Sequence, residues 1–133
     1  MSKGRILIVE DDAKRIAWFR SATIGHEVDI TLDPDAAIRL LEQHEYAQIF
    51  LDHDLSLEMQ MACVRGEPAN KYDDVSGYKV AKYLGENKCR SEQAEIIVHS
   101  FNPEGVQRMC RALHAGRRRY KRIPFNQLKA GVR

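Results

Sequence analysis

The chain has 133 residues, 44% of them hydrophobic and 30% charged, with a formal net charge of +2. That length fits one domain, residues 1–133, able to bury a core without disulfide or metal staples, and so small a net charge gives no general attraction for polyanions. Cys63, Cys89 and Cys110 are odd in number, far apart and without a CxxC pair, which excludes a disulfide framework and a zinc ribbon. Met1–Ser2–Lys3–Gly4–Arg5 is followed by only four apolar residues, and no apolar run reaches membrane-spanning length, so a soluble, cytoplasmic protein without a membrane partner is expected.

Ile6–Leu7–Ile8–Val9 is a wholly apolar, β-favouring run, the pattern of a central strand covered on both faces, and it stops at Glu10–Asp11–Asp12. From Asp12 to Thr23, Ala13, Ile16, Ala17 and Trp18 or Phe19 recur at helical spacing, with Gly25 as a stop. Glu27–Thr31 alternates as a strand, and Asp33–Pro34 opens a helix with Ala36, Ala37, Leu40 and Leu41 on one face. Ala47–Leu51 is a third strand, running into Asp52–His53–Asp54. Residues 56–74 lack clean periodicity and predict an extended loop bordering the strand ends, although Leu57, Met59, Met61 and Val64 can form part of a short helix. A helix over Gly77–Asn87 and a strand over Glu95–Ser100 follow. Pro103 starts a further helix that Gly116 closes. Arg117–Ile123 then supplies a fifth, edge-like strand before Pro124, and Asn126–Arg133 is a short helix or a frayed tail.

This order predicts an α/β fold, a doubly wound five-stranded parallel sheet with the flavodoxin-like strand order 2-1-3-4-5. The ends of strands 1 and 3 then meet at the topological switch point, bringing Glu10 and Asp11 to Asp52, His53 and Asp54. Extended backbone through that triplet turns Asp52 and Asp54 one way and His53 the other. Four carboxylates in one crevice repel, and a divalent cation is the expected remedy, Mg²⁺ or Mn²⁺ by the hardness of the oxygen ligands, with His53 and His99 also admitting a softer metal. Ser100 and Asn102 stand at the neighbouring strand end as hydrogen-bond donors suited to phosphate oxygens. Each of His53 and His99 has two readings, a general acid–base or a buried structural imidazole. The basic run Arg117–Arg122 likewise reads as a polyanion site or as a solvated edge strand, and favourable charge at a helix carboxyl end favours the second.

Arg5–Ile6–Leu7–Ile8–Val9–Glu10–Asp11–Asp12 resembles the opening of a response-regulator receiver domain, and Ile49–Phe50–Leu51–Asp52 its phosphoacceptor strand. The resemblance extends to Ser100 and to Ile123–Pro124–Phe125, where receivers carry Lys-Pro-Phe. It implies Glu10, Asp11 and Asp52 as the metal-binding carboxylates and moves the missing lysine's charge to Lys121 or Arg122. Asp52–His53–Asp54–Leu55, Ser76–Gly77–Tyr78 and His99–Ser100–Phe101–Asn102–Pro103 resemble more specifically a derived branch, the cyclic-phosphate processing receiver domain. That resemblance implies hydrolysis or binding of the cyclic phosphate of a nucleotide or RNA terminus. His53, His99, Asp52 and Asp54 would be catalytic, and Ser100, Asn102, Lys121 and Arg122 would bind phosphate. The alternatives are a receiver phosphorylated on Asp52, and a degenerate receiver that binds a protein partner through its helix faces.

Overall fold

In the computed structural model, which describes residues 4–131, β1 (Ile6–Val9), β2 (Val28–Thr31), β3 (Gln48–Leu51), β4 (Glu95–Val98) and β5 (Tyr120–Arg122) form one parallel sheet in the order β2-β1-β3-β4-β5. The expected doubly wound architecture is present. Period-two alternation divides the strand side chains between two cores. Leu7, Val9, Ile49, Leu51, Ile96 and Val98 face α2 (Pro34–Gln43), α4 (Gly77–Glu86) and α5 (Pro103–Ala115), packing on Leu41, Val80, Leu84, Met109 and Leu113. Ile6, Ile8, Phe50 and Ile97 pack on Phe19 of α1 (Ala13–Ala22) and Leu128 of α6 (Phe125–Gly131).

Register sets where the strands stop. Val9 pairs with Leu51, and Leu51 with Val98, so β1, β3 and β4 end level and residues 10, 52 and 99 emerge side by side. The polar residues that follow also start the next helices. Asp12 accepts the Arg15 N–H at 2.9 Å, and Asn102 accepts the Gly105 N–H at 3.0 Å, each satisfying an amide that the helix itself leaves unpaired.

One region differs in detail from the sequence reading, while Gly116 closes α5 and the tail is a short helix, as expected. Residues 56–74 contain α3 (Leu57–Val64), capped by Ser56, and a 3₁₀ turn (Ala69–Tyr72). Met59, Ala62 and Ala69 are buried, while Leu57, Met61 and Val64 are exposed; apolar residues all round the helix leave no one-sided stripe to read. Glu104 accepts the Ala69 N–H at 2.6 Å and Arg108 pairs with Asp73, so α5 pins this segment. Gly116 follows α5 but has φ −86°, and Arg117 takes the positive φ of 57°. Glycine is needed at 116 for closeness, because a Cβ there would lie 2.4 Å from the Gly85 Cα of α4. The tail is helical over Phe125–Gly131; the reading of Met1–Lys3, Val132 and Arg133 lies outside the described residues. No helix of the described residues is long and apolar enough to cross a membrane.

Candidate functional site

Glu10 leaves β1 fully buried. Its Oε2 accepts the backbone N–H groups of Asp11 and Asp12, both at 3.1 Å, and its Oε1 accepts Nε2–H of His99 at 2.8 Å. Burial pushes this carboxyl up, but the His99 hydrogen bond and charge, the Asp12 amide and Arg15 together hold it below the ordinary glutamate value. His99 is itself wholly buried, and loss of water holds its imidazole below the usual value against the pull of Glu10. Its Nε2 faces Glu10, and its Nδ1 lies buried without a partner beside Phe19.

Asp52, 2% exposed, is pushed well above the ordinary aspartate value by burial and by the charge of Glu10, with Arg15 opposing. Arg15 reaches across from the first turn of α1, placing Nη1 3.3 Å from Asp52 Oδ2 and 3.6 Å from Glu10 Oε1. Burial, then Glu10, also raises Asp11, whose Oδ1 is buried without a hydrogen-bond partner. Glu10, Asp52 and His99 each offer a ligand atom within 4.8 Å of the others. The structure thus adds His99 to the expected carboxylates and places Asp11 outside that tightest group. Two mutually repelling buried carboxylates and an orphaned aspartate oxygen are a donor set that fits a hard divalent ion. The His99 nitrogen nearest the group is occupied as the anchor of Glu10.

Asp52 and Asp54 line one cleft of about 250 Å³ together with Ser100 and Asn102, while Arg15, Phe101 and residues Gln60, Cys63 and Val64 of α3 complete its walls. The 56–74 segment therefore borders the site, through a helix. Asp54 Oδ1 is 2.7 Å from His53 Nδ1 and 3.1 Å from Asn102 Nδ2, so an imidazole and an amide aim this carboxylate. Asn102 in turn donates its backbone N–H to Ser100 Oγ at 3.1 Å. His53 has zero exposure, its Nε2 is buried without a partner, and its ring lies against α5 where a Cβ on Gly105 would come within 2.5 Å. Gly77 is as closely placed, since a Cβ there would meet the Asp52 carbonyl oxygen at 1.8 Å, and its N–H donates to the His53 carbonyl at 3.0 Å.

The structure gathers Asp52, Asp54, Ser100 and Asn102 on one cleft, with Glu10 buried beside Asp52, Asp11 next along the chain, and His53 and His99 buried against the carboxylates they touch. It does not bring Lys121 there: its Nζ is 3.1 Å from Glu95 Oε2, near the opposite end of β4. Arg122 is exposed and borders a neighbouring hollow of about 190 Å³ that shares Ser100 and Phe101 with the cleft. The cation of the site is Arg15, which the sequence reading missed. Its signal was its place three residues after the Asp12 helix cap, one turn beyond an acidic cluster that needs positive charge.

A parallel 2-1-3-4-5 sheet with acidic side chains at the ends of β1 and β3 defines a receiver-type protein. Within that class the chain belongs to the cyclic-phosphate processing receiver domain family, whose profile matches residues 6–115. Among solved structures, the fold is similar to the Mn²⁺-bound form of response regulator Rcp1, with a TM-score of 0.62 at 18% identity, covering 96% of this chain and 91% of that one. A CheY-like receiver domain from Methylobacillus flagellatus gives 0.61 at 19% identity, covering 97% and 95%. A response regulator from Burkholderia pseudomallei, solved with a phosphorylated aspartic acid, calcium ion and citrate, gives 0.57 at 18%, covering 98% and 67%. No curated protein matches significantly.

Proposed function

We propose that the cleft hydrolyses a cyclic phosphodiester, of a nucleotide or an RNA terminus, to a phosphate monoester. The observation that carries this reading is the hydrogen-bonded set Asp54, His53 and Asn102 on the wall of a cleft that also holds Asp52 and Ser100. Asp54 Oδ1 is committed to His53 and Asn102, whereas Oδ2 has no hydrogen-bond partner among the described residues. A carboxylate fixed at one oxygen and open at the other is placed to take the proton of an attacking water. His53, buried behind it, acts through Asp54: donating from Nδ1 to Oδ1, it fixes the orientation of the base while the proton taken from water stays on Oδ2. The Ser100 hydroxyl and Asn102 amide are donors for the non-bridging oxygens. Glu10, Asp11 and Asp52 would hold a divalent ion, Mg²⁺ or Mn²⁺, which supplies positive charge for the phosphoryl and departing oxygens.

A second reading, phosphorylation of Asp52, draws support from its place at the end of β3 beside Glu10. Ile123 before Pro124 and the Lys121–Glu95 pair weigh against it, because no lysine among the described residues lines the cleft. Incubation of 2′,3′-cyclic AMP with the protein and Mn²⁺ in ¹⁸O-water separates the two. Hydrolysis gives a nucleoside monophosphate carrying one ¹⁸O, lost in Asp54→Asn; absence of any monoester with Mn²⁺ or Mg²⁺ sinks the proposal.

A further inference from the structure

We infer that Arg15 is the anion-recognising group of the cleft, its guanidinium taking the non-bridging oxygens of an organic phosphate from the α1 side of the sheet. The inference rests on the cleft being a phosphate site. An anion entering beside Asp52 and Asp54 meets their repulsion, and Arg15 is the only cation lining the cleft among the described residues.

The geometry suits that task better than it suits a structural ion pair. Nη1 stands 3.3 Å from Asp52 and 3.6 Å from Glu10, longer than the roughly 2.7–2.9 Å of a firm charge-assisted bond. No other Arg15 side-chain nitrogen has a hydrogen-bond partner among the described residues. The guanidinium carbon lies 5.0 Å from the Phe101 ring centroid and 5.4 Å from that of Phe125. Stacking on aromatic faces fixes the plane of a guanidinium while leaving its in-plane donors free, the arrangement that binds a phosphate in fork fashion. Phe101 is itself half exposed on the cleft wall, so the group it steadies is reachable. Arg15 also touches the two carboxylates proposed to hold metal, so its charge opposes that of a divalent ion.

Calorimetric titration of wild type, Arg15→Gln and Arg15→Lys with adenosine 3′-monophosphate in Mn²⁺, with adenosine, and with Mn²⁺ alone tests this. Arg15→Gln should weaken the monophosphate about 10- to 100-fold, leave adenosine unchanged, and tighten Mn²⁺ at least threefold. Arg15→Lys, which keeps charge but not the planar fork, should weaken the monophosphate by about threefold or more, and it decides the matter if Arg15→Gln fails to fold. Monophosphate affinity within twofold of wild type in the folded variants overturns the role of Arg15 while leaving the proposed hydrolysis standing. A wild-type protein that binds no monophosphate with or without Mn²⁺ overturns the phosphate site itself.

Discussion

Gly105→Ala exposes the logic of the site because two effects of known size oppose each other. Glycine within a helix is less favourable than alanine by up to about 1 kcal/mol, so propensity alone predicts stabilisation. The alanine Cβ, however, would stand 2.5 Å from His53 Cγ, 2.6 Å from Cδ2 and 2.9 Å from Nδ1. The ring is fully buried and tied to Asp54, so relief must come from a shift of β3 or α5, and overpacking of this kind costs about 1–3 kcal/mol. The net expectation is a loss of about 1–2 kcal/mol, or roughly 3–10 °C in Tm for a chain of this size. Urea unfolding followed by circular dichroism reads it. In a His53→Ala background the clash is gone, and Gly105→Ala should become neutral or stabilising, a coupling that a double-mutant cycle isolates. A more stable Gly105→Ala protein in the wild-type background would refute the packing of His53 against α5, and with it the fixing of Asp54.

In metal-free buffer, Asp52→Asn should raise Tm by about a few degrees at pH 7–8 and by little at pH 4. The sign follows from a folded carboxyl held above its unfolded value by burial and by Glu10. The folded state keeps a proton that the unfolded state releases, so wild type loses stability as pH rises from the ordinary carboxylate range through the raised value. Equal Tm differences at both pH values would contradict the shift. His99→Ala removes the Nε2–H that Glu10 Oε1 accepts and opens a void beside Phe19; a loss of roughly 2–4 kcal/mol is expected in urea unfolding, and one below about 0.5 would contradict that anchoring. Deleting 57–64 removes buried Met59 and Ala62 and should cost several kcal/mol or cooperative unfolding altogether, whereas a dispensable loop would leave the thermal transition in place.

The strands that position the site were legible because β1, β3 and β4 are unbroken apolar runs ending in polar groups, and their parallel order forces those ends together. Glu10, Asp52, Asp54, Ser100 and Asn102 come with that register. Arg15 was not legible: its contact with Asp52 depends on which way the first turn of α1 faces, and Phe101 and Phe125, which steady it, lie far away in sequence. The depth of the imidazoles was legible only as one of two readings. Chemistry that titrates near neutrality drew attention to His53 and His99, yet packing against α5 and against Phe19 puts both behind carboxylates. Lys121 and Arg122 looked available near the proline that follows β5, but strand alternation puts Lys121 on the same face as Glu95, which captures it. α3 was obscured because its exposed Leu57, Met61 and Val64 fill the positions where a surface helix ordinarily shows polar residues.

The most direct test of the central claim is a ³¹P NMR time course of 2′,3′-cyclic AMP with the protein and Mn²⁺ or Mg²⁺. The site as described predicts that the cyclic phosphate resonance gives way to a monoester, with the rate about 10²–10⁴-fold lower in Asp54→Asn, the size of effect expected when a positioned base is lost. An unchanged cyclic phosphate with either ion, together with an acyl phosphate on Asp52 after incubation with acetyl phosphate, would contradict it and make the chain a phosphoacceptor.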